Sequence, residues 1–386
     1  MTSELQPTTD RSTRALVTGV ALIVATVLPG FLTASLATRI RDDFSFENSA
    51  LGLCVAVFYV VSAAASNPAG RLLERIGPVR GMRLAAALTA VSCLTVVLAA
   101  NSTATLTAAL VLAGVANGLG SPTVSALFKR LIPEARQGMA FGAQQAGAPL
   151  GSLLAGLALP LIAIPFGWRW AYAAAGLMGL VAVALAPRGV AAPAPGSRAK
   201  PPRGFTAIHG IAIAAALASA AGVGFVSFLV SYSVENDISE AAAGLLLGGV
   251  SLASAMSRIV LGSVLDRSRA DALMPLALML AVSVGGYLLL MADQPALIVV
   301  AALVAGSLGW AWPGGLNLAV VQRSPDAPAW AVGVMMTGLF AGAVAGPLLV
   351  GVLADHGHFD SAWLLCGAFA LGAAATLAVT RRRERA

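Results

Sequence analysis

Charged residues are scarce in this sequence, since Asp, Glu, Lys and Arg together make up 11% of the 386 residues, while 58% are hydrophobic. A soluble domain usually carries about a quarter charged residues. No water-soluble fold of this length could bury so much apolar surface, so the composition excludes a soluble protein and implies a lipid environment.

Groups that bind metals or form disulfides are also few. The cysteines are Cys54, Cys93 and Cys366, and the histidines are His209, His356 and His358. All three cysteines lie inside apolar runs, and neither residue type shows ligand spacing, so we expect no disulfide framework, no metal and no cofactor. A P-loop is absent, which disfavours a pump driven by its own ATP hydrolysis.

Alternation of apolar and polar residues, the pattern of a membrane β-barrel, is absent as well. The chain contains instead apolar runs of about twenty residues, the length that a helix needs to cross a bilayer. We therefore predict an all-α membrane protein with twelve spans. The predicted spans are 15–37, 49–69, 83–100, 104–127, 139–164, 169–187, 207–231, 241–264, 272–292, 296–321, 329–353 and 361–379. Asn67, Pro68 and Gly70 predict that the second span breaks near the membrane surface.

The basic residues indicate an orientation. Twenty Lys and Arg fall in the tails and loops on the side of the amino terminus, and three fall on the other side. Positive residues concentrate in cytoplasmic loops, so we expect both termini in the cytoplasm and a multi-pass protein of the cytoplasmic (inner) membrane. The net charge of +7 is therefore an orientation signal, and we expect no nucleic-acid partner. The first apolar run reads as a retained span.

A linker divides the chain. Residues 188–206 are rich in Pro, Gly and basic residues, a composition typical of a linker. We predict an amino-terminal six-helix bundle over 1–187 and a carboxyl-terminal bundle with a basic tail over 207–386. Ala113-Gly114 and Ala305-Gly306 recur at an offset of 192 residues, which indicates two similar halves.

A loop motif recurs at the same offset. The first copy, in the loop after the second span, contains Gly70, Glu74, Arg75 and Gly77, with Arg80 shortly after; the second copy contains Gly262, Asp266 and Arg267. Together with the span count and the linker, this motif resembles the pattern G-x-x-x-D-R-x-G-[RK] of the major facilitator superfamily. In the first copy Glu74 stands in place of the Asp of the pattern.

The resemblance implies two pseudo-symmetric six-helix bundles that rock about a substrate site near the membrane middle. It also implies that the two loop motifs form a latch on the cytoplasmic side. The alternative is that Arg75 and Arg267 only enforce orientation.

Two departures from the family patterns weaken the case for a proton-coupled drug antiporter. Many proton-driven relatives have an Arg four residues before a helix 4 glycine, where this chain has Gly114 before Gly118. The Gly-Pro pattern of drug antiporters in helix 5 is interrupted here, as Gly147-Ala148-Pro149. The segment 136–147 resembles the helix 5 entry of facilitators that take cyanate-like or organic anions.

Arg258 is the one charged residue that we place within a span, since no Asp or Glu lies near the middle of any span. Charges at membrane depth are costly and mark substrate pathways. The spacing Arg258-x-x-x-Gly262 resembles monocarboxylate-type members of the family, although Ser254 replaces the acid that they carry one turn earlier. We expect Arg258 either to attract an anionic substrate, or to snorkel to the surface or tie helix carbonyls together.

Other polar and aromatic residues within spans are candidate substrate contacts. Trp310 and Asn317 share one face of helix 10, beside Pro313. Asn117 lies with Ser121 and Ser125 on one face of helix 4, and at most one of Gln144 and Gln145 points squarely at a cavity. Tyr59 and Phe228 are candidate lining residues of the cavity. For all of these residues the alternative is packing or interhelical bonding.

We expect a secondary active transporter or facilitator that moves a small solute by rocker-switch alternating access. In one interpretation the solute is an organic anion. We expect the protein to be a monomer and to have no enzymatic activity. A coupling proton remains open. The alternative within the family is a proton-coupled multidrug efflux antiporter. Alternatives of another class are a transporter-like solute sensor and a membrane-embedded enzyme.

Overall fold

The computed structural model describes residues 9–44, 46–185, 207–268, 271–292, 294–324 and 328–385. The helices are α1 (Thr9–Ser35), α2 (Ala37–Asp43), α3 (Asn48–Ile76), α4 (Pro78–Ala99), α5 (Thr103–Leu131), α6 (Glu134–Gln145), α7 (Gly147–Ala158), α8 (Ile164–Phe166), α9 (Trp168–Ala184), α10 (Ala207–Glu235), α11 (Glu240–Ser268), α12 (Leu273–Leu290), α13 (Pro295–Gly309), α14 (Trp312–Arg323), α15 (Pro328–Asp355) and α16 (Phe359–Arg385). A π-helical turn, Leu159–Ala163, joins α7 to α8.

The predicted all-α membrane fold is confirmed. Eleven helical segments among the described residues are long and apolar enough to cross a bilayer. The sixth predicted span corresponds to α9, which is 17 residues long and ends just before undescribed sequence. The predicted linker 188–206 lies outside the described residues, so the domain boundaries remain predictions. We call α1–α9 the amino-terminal half and α10–α16 the carboxyl-terminal half.

The second and tenth spans differ from prediction. Helix α3 continues through Pro68 to Ile76, so the prediction of a break near residue 69 is wrong. It ends at Gly77, whose φ of +80° favours glycine. The tenth predicted span is two helices, α13 and α14, because the helix is interrupted at Trp310 and Ala311. Pro313 has no N–H to donate to the Gly309 carbonyl.

Close glycine contacts pack the helices within each half. A methyl group placed on Gly118 of α5 would lie 2.6 Å from the carbonyl oxygen of Ser62 on α3, and one on Gly114 would lie 2.7 Å from that of Phe58. Three glycines of α15 meet the backbone of α10 in the same way: Gly338, Gly342 and Gly346. Small residues let membrane helices approach closely, where dispersion and weak polar contacts hold them.

Successive long helices alternate in direction, so their ends form two faces. The basic face carries the ends that include Arg80, Lys129 and Arg323, and the opposite face carries those that include Asn48, Glu240 and Asp355. Among the described residues, the polar contacts between the halves lie on the opposite face or at membrane depth. The opposite face is therefore the closed one.

Candidate functional site

Arg258 lies on α11 at membrane depth and contacts two helix breaks. Its Nη1 donates a hydrogen bond of 2.9 Å to the carbonyl oxygen of Gln145, at the end of α6. Its Nη2 donates one of 2.7 Å to the carbonyl oxygen of Trp310, between α13 and α14. Gln145 belongs to the other half, so Arg258 joins the halves. We call these three residues the Arg258 cluster.

Two polar atoms beside this cluster lack partners among the described residues. Nε of Arg258 is buried without an acceptor, and the hydroxyl of Ser254, one helical turn earlier on α11, is buried without any partner. Buried polar groups are normally hydrogen-bonded, so each of these atoms has capacity for a further polar partner. Residues four apart share a helix face, so both atoms belong to the same side of α11.

The Trp310 ring lies against the guanidinium, and Phe31 packs against that ring. The guanidinium carbon lies 5.5 Å from the ring centroid of Trp310, within the range of a cation–π contact. Phe31 of α1 meets the Trp310 ring edge-on, with centroids 5.9 Å apart. Trp310 is only 5% exposed. A charged group with apolar walls suits a ligand that has one charged end and an apolar body.

Between the Arg258 cluster and the opposite face, helices α7 and α11 are in tight contact. The Ser251 hydroxyl donates to that of Ser152 at 2.8 Å. Farther out, a methyl group on Gly156 would lie 2.6 Å from the carbonyl oxygen of Gly244. The seam between the halves is thus closed from the Arg258 cluster to the opposite face.

The polar residues predicted in the fourth and fifth spans, which are α5 and α6–α7, meet within the amino-terminal half. The Gln144 side-chain amide donates to the hydroxyls of Ser121 and Ser125 at 3.3 Å each. The amide of Asn117 donates to the Ser62 hydroxyl at 3.0 Å. In this conformation these side chains bond to neighbouring helices, and Gln145 contributes a carbonyl oxygen to the cluster.

The remaining predicted contacts are scattered. Tyr59 is half-buried and stands edge-on to Phe58, with centroids 5.1 Å apart. Phe228 is fully buried and packs against Gly351, so its ring belongs to the core in this conformation. Asn317 is half-buried on α14, whereas Trp310 lies before that helix begins, so the prediction that the two share a face of one helix is wrong.

Side chains of the loop motif are only partly described. Gly77 forms the turn between α3 and α4, and Arg75 and Arg80 are exposed, with no ion pair to another described residue. Gly70 and Gly262 lie in helical backbone. The side chains of Glu74, Asp266 and Arg267 lie outside the described part of the chain, so the latch remains a prediction.

A contact on the opposite face escaped the sequence analysis. Asp355, at the end of α15, accepts hydrogen bonds from the backbone N–H groups of Asn48 and Ser49, each 2.7 Å long. These N–H groups open α3, which has no side-chain cap of its own at Glu47. A carboxylate from one half therefore caps a helix of the other. An acid at a span end looks solvated in sequence, and nothing in the spacing shows this partner.

Two ion pairs flank that cap. Arg39 meets Glu240 at 2.6 Å, and Arg41 meets Glu235 at 3.7 Å, again across the halves. Arg39 and Arg41 are two of the three basic residues that the orientation count placed on this face, which was the signal that could have singled them out. These partly exposed pairs contribute little each, roughly 0.2–1 kcal/mol.

The fold is similar to that of solved transporters. The family model of the Major Facilitator Superfamily matches residues 15–209 and 211–386. A bacterial homologue of the human lysosomal transporter Spinster, inward-facing and occupied, superposes with a TM-score of 0.78 at 15% identity over 97% of this chain and 98% of that one. The same homologue, inward-facing and unoccupied, gives a TM-score of 0.71 at 16% identity over 97% and 96%.

A D-xylose–proton symporter gives a TM-score of 0.72 at 16% identity over 95% of this chain and 96% of that one. Among curated proteins, none matches this sequence significantly. At these identities the solved structures establish the shared fold, and the family model establishes the family.

Proposed function

We propose that this chain, which belongs to the major facilitator superfamily, carries a small organic anion with one carboxylate. Membership makes it a secondary transporter that moves a small molecule by alternating access between two helical bundles. The nature of that molecule is the proposed part, and Arg258 carries the proposal.

The single observation behind the proposal is a half-buried guanidinium at membrane depth without a counter-charge. Among the described residues, Arg258 contacts two carbonyl oxygens and no carboxylate, and its Nε has no acceptor. Placing an Arg at membrane depth costs about 2.5–3.5 kcal/mol on insertion scales. A carboxylate that accepts from Nε and a terminal nitrogen supplies the missing charge in the forked geometry that Arg favours.

The charge count limits the substrate. Arg258 is the one basic residue at membrane depth among the described parts of the spans, so one negative charge is neutralised and a second would stay unpaired. The Ser254 hydroxyl can donate to the same carboxylate, and Trp310 and Phe31 offer an apolar wall. These features favour a monocarboxylate with an apolar or aromatic body.

We also place both termini in the cytoplasm. The excess of basic residues on the face of the termini supports this orientation. The closed opposite face would then be the outer one, and the structure would be inward-facing.

Counterflow into proteoliposomes tests the substrate class. Liposomes preloaded with a mixture of monocarboxylates, including benzoate, are exposed to trace labelled benzoate, with and without a proton gradient. We expect uptake by the wild type and a loss of roughly 10- to 100-fold in Arg258→Gln, because charge-assisted hydrogen bonds contribute about 1.5–3 kcal/mol. Arg258→Lys should recover part, since it keeps the charge and loses the fork.

The matched control is Arg83→Gln, an exposed arginine on the basic face that should leave uptake unchanged. Undiminished uptake by Arg258→Gln would contradict the proposal. Uptake of lipophilic cations in exchange for protons would favour the drug antiporter. Binding without flux would favour a sensor, and chemical conversion of the solute an enzyme.

A further inference from the structure

The carbonyl oxygen of Gln145 has no helical donor. In an uninterrupted helix it would accept from the backbone N–H four residues on, but that residue is Pro149, whose nitrogen carries no hydrogen. Helix α6 ends at Gln145, and α7 begins at Gly147. The hydrogen bond that the structure gives this oxygen comes from Arg258 at 2.9 Å.

The second acceptor of Arg258 is freed in a similar way. Helix α13 ends at Gly309 and α14 begins at Trp312, so the carbonyl of Trp310 lies outside both helices. It accepts from Arg258 at 2.7 Å. One guanidinium thus satisfies two orphaned carbonyls, each at a helix break and each in a different half of the protein.

We propose that Pro149 makes the Gln145 carbonyl a built-in competitor of the substrate for Arg258, so that the empty carrier is latched across its halves and an anion releases the latch. The competition rests on the proposed function, whereas the latch itself does not. A carboxylate that takes the guanidinium in a fork draws N–H donors from the carbonyls. Substrate binding then loosens the contact that Arg258 makes between the halves.

The substitution Pro149→Ala isolates this contact. It returns an N–H to position 149, which lets the Gln145 carbonyl bond within its own helix while Arg258 stays intact. A matched control is Pro122→Ala in α5, another helix-interior proline of the same half, whose freed carbonyl belongs to Gly118. Both substitutions favour helix, so neither variant should fail to fold.

The first measurement needs no anion. Spin labels at Met139 on α6 and Val264 on α11, exposed sites on the basic side of the seam, report the distance between the halves. The background lacks the native cysteines, all three of which are buried and free. We expect Pro149→Ala and Arg258→Gln to shift the distance distribution in the same direction, and Pro122→Ala to leave it as in the wild type.

The double variant separates a latch from a mere kink. If Pro149 acts through Arg258, then Pro149→Ala combined with Arg258→Gln should match Arg258→Gln alone, because Arg258→Gln already removes the Arg258–Gln145 contact that Pro149→Ala weakens. Additive shifts would mean that the proline acts on helix shape, and would overturn the latch. A Pro149→Ala distribution equal to that of Pro122→Ala would overturn it too.

The second measurement is the affinity for benzoate in the same samples. Without its competitor, Arg258 should bind benzoate about three- to tenfold more tightly in Pro149→Ala, the factor that one intramolecular hydrogen bond contributes. A latch seen by distance without benzoate binding would count against the proposed substrate class alone. Benzoate binding that Arg258→Gln abolishes and Pro149→Ala leaves unchanged would support that class and overturn the competition.

Discussion

The cap that Asp355 places on α3 gives the sharpest prediction about the closed face. Asp355→Asn removes the negative charge and one of two acceptor oxygens, while the side chain keeps its size. Both N–H groups that it serves, those of Asn48 and Ser49, lie in the first turn of a helix without a local cap. Opening this face must break both hydrogen bonds, because Asp355 and α3 belong to different halves.

The magnitude follows from the bonds that are lost. Asn retains one acceptor, so one of the two charge-assisted hydrogen bonds is lost, about 1.5–3 kcal/mol in a buried site, together with about 0.3–1 kcal/mol of helix-dipole interaction. Asp355 is exposed, so solvent screens the charge and the total is about 1–2 kcal/mol. The equilibrium should therefore shift about 5- to 30-fold towards opening of the opposite face.

The assay measures a distance across the opposite face. Spin labels at Asn101 and Gln294 occupy exposed loop positions of the two halves on that face. In bilayers, the Asp355→Asn variant should show a larger long-distance population than the wild type. Asp360→Asn is the control, since Asp360 is an exposed acid nearby in the same half with no hydrogen bond to described residues. Equal distributions for the two variants would refute the reasoning.

Two further predictions concern stability. Gly118→Ala should cost about 1–3 kcal/mol and lower the Tm, because its methyl group would lie 2.6 Å from the Ser62 carbonyl, whereas Gly142→Ala, with nothing within 4 Å, should not. Asp271 accepts a hydrogen bond of 2.8 Å from Arg323. Burial raises the pKa of Asp271, but the hydrogen bonds from Arg323 and from the Leu273 N–H lower it more, so the pKa lies below its usual 3.8. A lowered pKa stabilises the fold above pH 3.8, so Asp271→Asn should reduce the Tm at pH 7, and the difference should vanish as the pH falls through the lowered pKa; a constant difference would argue against it.

The spans could be predicted because the bilayer selects for length and apolarity, which are local properties of sequence. Helix breaks are less local. Pro68 and Pro313 are both prolines inside apolar runs, yet α3 continues past Pro68, whereas the tenth span is interrupted just before Pro313. Neighbouring helices and side chains decide whether a freed carbonyl is satisfied in place, so the residue alone does not distinguish the two outcomes.

The sequence singles out Arg258, Gln145 and Trp310 as candidate contacts, but it does not predict how they meet. Arg258 stands out because a lone basic residue within a span is rare. Its partners are main-chain oxygens, which every residue carries, so no residue type could point to Gln145 or Trp310 as acceptors. The structure shows Arg258 tying two carbonyls; on the proposed function, the anion contact would be a second state of the same side chain.

That duality decides where substrate can act. The contacts on the opposite face join a carboxylate to backbone N–H groups and arginines to acids, all with partners of their own. A small anion has nothing to replace there at low cost. At the Arg258 cluster, by contrast, a full charge is held by two neutral carbonyls, and a carboxylate is the stronger partner. On the proposed function, the step that responds to substrate belongs at membrane depth, and we expect the opposite face to follow through α11, which carries both Arg258 and Glu240.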